Sequence, residues 1–107
     1  MAKAIIVSQG VVVSLSTFGF FYLTDKIRKE FLPEQAAIVE NIFKPHDEEG
    51  MPFISLKDVG VEEFGAFVEA AKRADFVAKK DDNYNELEKL WTELFDYLSE
   101  DDRFFDK

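Results

Sequence analysis

The chain opens on a run in which polar residues are few and mild. Residues 4–23 read AIIVSQGVVVSLSTFGFFYL, twenty positions without a charge, with Ser8, Gln9, Ser14, Ser16 and Thr17 as the polar members. A helix of that length covers roughly 30 Å, about the thickness of the hydrocarbon core of a bilayer. Serine and threonine can return their hydroxyls to the helix backbone in lipid, which leaves Gln9 as the one costly residue. Tyr22 sits where an amphipathic ring prefers the headgroup level, and Lys26, Arg28 and Lys29 follow within snorkelling reach. The pattern predicts a single transmembrane helix over residues 4–23, behind a flank of residues 1–3.

Three rival readings compete for the same residues. The strongest is a pair of strands, 4–7 and 11–15, joined through Ser8-Gln9-Gly10 and favoured by the many β-branched side chains. Against it, neither Ile5-Ile6-Val7 nor Val11-Val12-Val13 alternates, so such a sheet would have to bury both faces. Only residues 53–56 offer another good strand. A cleaved secretory signal, with Lys3 as its positive end and Ser14-Leu15-Ser16 as the cleavage site, has its apolar core broken by Ser8-Gln9-Gly10. A transit peptide should be arginine-rich and amphipathic, which this segment is not.

Taken as a span, the segment places Gly10, Ser14 and Thr17 at i, i+4 and i+7, a small-residue stripe where a neighbouring helix could pack closely. The basic residues after Leu23 outnumber Lys3 before it, which puts the rest of the chain on the cytosolic, matrix or stromal side.

Residues 24–58 read as a stalk, a short helix and a loop. The first helix can continue through Phe31 until Leu32-Pro33 ends or bends it. Ile38, Val39, Ile42 and Phe43 share one narrow face, predicting a short helix over residues 34–43 that Pro45 terminates. Residues 44–52, with two prolines, Gly50 and His46-Asp47-Glu48-Glu49, read as an exposed loop. Residues 59–107 form an acidic helical hairpin and tail. Val61, Phe64, Phe67, Val68 and Ala71 repeat at helical spacing, with Ser55 or Asp58 as the capping residue. Tyr84, Leu87, Leu90, Trp91, Leu94 and Leu98 make a second stripe, with Asn83 and Glu86 spaced as a capping box. The two helices should pair antiparallel across the Asp81-Asp82-Asn83 turn. The fold class expected is mainly α: a transmembrane helix, a stalk and a small helical domain. A soluble α+β fold with an N-terminal β-hairpin is the alternative.

Charge then narrows the partners. Of the 13 basic residues only Lys3 precedes Asp25, whereas all 22 acidic residues follow it, and the net charge is -9. Such a surface repels nucleic acid and favours basic proteins or cations. Cysteine is absent, which excludes disulfides, thiolate metal sites and a cysteine nucleophile. At 107 residues the chain holds one modest core, and its twelve phenylalanines argue for a chain that folds or docks.

No motif identifies a reaction, and the chain is expected to be no enzyme, with no catalytic, cofactor-binding or metal-binding residues. His46-Asp47-Glu48-Glu49 are adjacent loop residues that do not converge on one ion. Asp81-x-Asn83-x-Asn85 imitates a calcium loop, but Glu86 and Thr92 stand where glycine and glutamate are required. One local conflict stands out: Glu100, Asp101 and Asp102 crowd a helix C-terminus, where negative charge is unfavourable. With Phe104 and Phe105 beside them, these residues are read as a tail that docks on a partner.

The function expected is that of an accessory subunit in a multisubunit membrane complex, such as one of the mitochondrial inner membrane, with the bilayer and other subunits as partners. An acidic inhibitor or immunity-type protein that blocks a basic partner surface is the second reading. A membrane-tethered adaptor is the third.

Overall fold

The computed structural model describes residues 3–104. Eight elements follow one another: β1 (Lys3–Ser8), β2 (Val11–Leu15), α1 (Thr17–Arg28), a 3-10 turn (Pro33–Gln35), α2 (Ala36–Asp47), β3 (Phe53–Ser55), α3 (Val61–Ala78) and α4 (Tyr84–Ser99).

The uncharged N-terminal run is therefore a hairpin followed by a helix, and the expected transmembrane helix is overturned. Two local features divide it. Gly10 adopts a φ of 80°, open to glycine without strain, and turns the chain between β1 and β2. Ser16 then caps α1, its side chain accepting the Gly19 backbone N–H at 3.0 Å. The β-branched residues on either side of Gly10 pair as strands instead of continuing a helix. Among the described residues no helix is long and apolar enough to cross a membrane. The topology inferred from the flanking lysines and arginine falls with the span.

The sheet has the order β2-β1-β3, with β1 antiparallel to β2 and parallel to β3. Ile5 lies opposite Val13 and beside Ile54. The register shifts after Ile6, so that Ser8 instead of Val7 opposes Val11, a bulge that leaves Val7 without a register partner. Ile5, Val7, Val13, Leu15 and Ile54 are buried on the inner face. The expectation that such a hairpin must bury both faces is corrected here: Ile6 and Phe53 are half-buried on the other face, while Val12 and Ser14 are exposed.

The helices complete one core. Phe20, Leu23 and Ile27 of α1, Ile42 and Phe43 of α2, Phe64 and Phe67 of α3, and Trp91, Leu94 and Leu98 of α4 are buried in a single cluster with the strands. Burying a side chain of this size contributes about 2 kcal/mol, so the run read as lipid-facing instead supplies part of the folding energy. α1 carries its own buried hydroxyl, Thr24, which donates to the Phe20 carbonyl at 2.8 Å.

Several boundaries differ from expectation for identifiable reasons. α2 runs through Pro45 to Asp47, because in the last turn the proline costs the helix only the bond to the Asn41 carbonyl. His46 leaves the expected loop and packs on the rings of Phe20 and Phe21, at 5.1 and 5.4 Å. The residue that caps α3 is Gly60, whose N–H the Glu63 carboxylate accepts at 3.0 Å, and not Ser55 or Asp58. Asn83 precedes α4 but makes no side-chain cap. The α3–α4 turn is short as expected, yet α3 lies chiefly along α1, and α4 lies against β2, α1 and α3. Tyr84 joins the two helices, its hydroxyl donating to Asp75 Oδ1 at 2.7 Å.

Candidate partner-binding surface

The turn end of the β-hairpin, the C-terminal end of α4 and the loop after β3 meet around one side chain, Arg103. Its Nη1 donates to the carbonyls of Leu56 at 2.7 Å and Val59 at 2.8 Å, and its Nη2 to the carbonyl of Val7 at 2.8 Å. The carbonyl of the bulge residue is thus satisfied from the far end of the chain. Nε and Nη2 also grip both carboxylate oxygens of Asp101, at 2.8 and 2.9 Å, and the guanidinium lies over the Phe64 ring at 4.3 Å. A planar fork with five N–H donors suits such a junction, and lysine could not reproduce it. The hydrogen bonds from Arg103 hold the Asp101 carboxyl below the usual carboxylate range, against the opposing effect of burial.

This latch resolves the charge conflict at the end of α4. Asp101 turns inward onto Arg103, its side chain 9% exposed, while Glu100 and Asp102 face solvent. Phe104 also turns inward, packing against the core with the Lys72 ammonium 5.5 Å from its ring centre. Phe105 lies outside the described residues. Of the residues expected to dock a partner, Glu100 and Asp102 are therefore presented outward, and Asp101 and Phe104 brace the fold. Arg103 was not singled out from the sequence. The available signal was its position as the one basic residue between Lys89 and Lys107, directly after three acids.

Gly10, Ser14 and Thr17, expected on one helix stripe, fall in three different elements: the hairpin turn, the outer face of β2 and the first position of α1. They form no packing stripe. What the structure brings together instead is a shallow cleft at the start of β2, lined by Val7, Ser8, Val11, Tyr97, Glu100 and Asp101. A second depression continues past Ser8 and Lys57 to Asp102. On α4 the outward side adds Glu93 and Asp96. Beyond this acidic side, an aromatic row runs from α1 to α4. Phe18 stacks with Tyr22 at 6.2 Å, Tyr22 meets Trp91 edge-on at 5.9 Å, and the indole N–H donates to the Tyr22 hydroxyl at 3.1 Å.

No group of three or more histidine or carboxylate side chains among the described residues is placed to hold a metal ion. The features at this end are a strand edge, a cleft and outward acids, which suit contact with another macromolecule.

Comparison with known proteins gives that contact a context. The chain is 29% identical over 103 residues to the immunity protein CdiI of Burkholderia pseudomallei, spanning 96% of this chain and 94% of that protein. It is similar to an immunity protein. Its fold also superposes on a chain of a solved structure, the CdiA-CT toxin from Burkholderia pseudomallei E479 in complex with cognate CdiI immunity protein. That match has a TM-score of 0.91 and 28% identity, covering 95% of this chain and 98% of the other. No family model matches the chain.

These likenesses overturn the expected accessory subunit of a membrane complex, together with its membrane partners and its mitochondrial placement. Both matches extend over almost the whole chain, hairpin included, and neither is to a membrane component. The expectation of a non-enzymatic chain agrees with them.

Proposed function

We propose that this chain is an immunity protein that binds and neutralises a CdiA-CT toxin. The observation that supports it most is the full-length likeness, at a TM-score of 0.91, to a chain of a toxin–immunity complex. A shared fold alone would not carry a function. Here the likeness joins fold, sequence and length, because hardly any residue of either chain is left unmatched.

The physical character of the chain agrees with this reading. A net charge of -9 on a small domain steers a basic partner into encounter and disfavours like-charged ones. Inhibition needs a rigid complementary surface more than a reactive group, and Arg103 ties together the elements that present one.

The test is growth of cells that express the CdiA-CT toxin domain carried by the strain encoding this chain, with and without the chain, alongside co-elution of the two purified proteins. Restored growth and a stable complex are expected. Continued growth arrest with no complex would defeat the proposal. The toxin of the E479 complex serves as a specificity control and should bind more weakly, since most positions differ between the two immunity chains.

A further inference from the structure

The two edges of the sheet are finished differently. α2 packs along β3, and the segment leading into β3 is tied down by the bonds Met51 N–H to the Pro45 carbonyl and Ala4 N–H to the Pro52 carbonyl. On the other edge β2 bonds, among the described residues, to β1 alone. Among the described residues no hydrogen bond reaches Val11–Leu15 from any other element. An antiparallel edge strand directs the N–H and C=O of alternate residues outward, unpaired.

Proteins usually blunt such an edge with a charge, a proline or a covering element. β2 reads Val-Val-Val-Ser-Leu and has neither charge nor proline. Beside the edge, Val12 is 40% exposed, Ser14 faces solvent, and Ile6, the register partner of Val12, is half-buried on the same outer face. At the start of the strand the cleft between Val11 and Tyr97 opens onto Glu100.

We propose that the free edge of β2 is where the toxin docks, by adding an extended, net-basic segment as a fourth strand of the sheet. This rests on the immunity reading above and says where and how the partner is held. The strand's outward backbone groups supply the hydrogen bonds, Val12 and Ile6 the apolar contact, and Glu100 a charge for the incoming segment. A second copy of this chain would also fit the edge geometrically, but it would bring two chains of net charge -9 side by side. Charge therefore selects a basic partner over self-pairing. The acids do not locate the site; the strand edge that takes no further hydrogen bond among the described residues does.

The experiment is backbone hydrogen exchange on the full chain, alone and with the CdiA-CT toxin domain of its own strain, together with affinity measurements on the double variant V12R/S14R. Alternate amides of Val11–Leu15 should exchange at least about tenfold more slowly in the complex, as expected for a newly paired strand. V12R/S14R should bind at least about tenfold more weakly with its thermal midpoint little changed, as expected for exposed positions. F76R, at an exposed position on α3, should bind as the wild type does.

Unchanged exchange across β2 in a complex that does form would overturn the docking mode and leave the immunity reading standing, as would full affinity in V12R/S14R. Protection of β2 without toxin, accompanied by a dimeric mass, would make the occupant a second copy and overturn the proposal. Failure of the wild type to bind the toxin at all would remove the immunity reading and this inference with it.

Discussion

Arg103 concentrates more of the fold's long-range order than any other side chain described above. It reaches three carbonyls in two segments, Val7 on β1 and Leu56 and Val59 after β3, and pairs with Asp101. Removing one partner of a largely buried ion pair costs about 3 kcal/mol or more, because the other charge is left uncompensated. R103A should lower the urea midpoint by about that amount of free energy, and R103K should recover only part of it, since an ammonium cannot reproduce the fork. Asp101 adds a pH dependence of defined sign. Its folded-state pKa lies below the unfolded value of about 3.9, so its stabilisation is fully present above that value and is lost as the pH falls through the folded pKa. The stability gap between wild type and D101N, followed by urea melts from pH 7 downward, should therefore narrow in acid. A gap independent of pH would contradict the assignment. The sequence marked Glu100, Asp101 and Asp102 as a conflict but gave no means of seeing its resolution, because the Arg103 guanidinium meets a carbonyl 96 positions away.

Elements were legible to the extent that their signals are local. The stripes on α3 and α4 predicted buried faces that include Phe64, Phe67, Val68, Ala71, Leu87, Trp91, Leu94 and Leu98, and all eight are buried. Val61, expected on the same stripe, is instead 48% exposed in the first turn of α3. The caps of α3 and α4, expected at Ser55 or Asp58 and at Asn83, were misread because the cap depends on where tertiary packing lets the helix begin. The N-terminal hairpin depends on two positions that can be tested. Gly10 has open space where a Cβ would stand but a φ of 80°, so G10A should cost about 1 kcal/mol through backbone strain alone. S16A should cost a similar amount, about 1 kcal/mol, by leaving the Gly19 N–H uncapped. Denaturant midpoints of the two single variants check both. If the first segment were one continuous helix, G10A would instead stabilise it.

At the scale of the whole molecule, the charge distribution and the fold make a joint statement about association. On the immunity function proposed above, a net charge of -9 predicts that encounter with the toxin is fast at low salt and slows as salt screens the field, over a Debye length of about 8 Å at physiological ionic strength. Stopped-flow association rates should fall several-fold between about 0.05 and 0.5 M salt, with dissociation changing much less. A rate indifferent to salt would mean that the acidic surface plays no part in encounter.

The sequence by itself determined most of the helical faces of α3 and α4 and the net acidic character of the chain after Leu23. Those properties depend on spacing within one element or on simple counts of residues. Only the tertiary structure decided what the uncharged run of residues 4–23 is. Twenty uncharged residues have the same composition whether lipid or protein surrounds them, and Ser8, Gly10 and Ser16 are tolerated in a span as well as in a hairpin with a capped helix. The choice rests on a distant strand, Phe53–Ser55, pairing in parallel with β1, and on helices that close over one face of the sheet. It rests as well on an arginine that donates to the carbonyl of the bulged Val7. Burial among these partners removes the apolar side chains from water without a membrane, and no local pattern in the sequence encodes contacts so far apart along the chain.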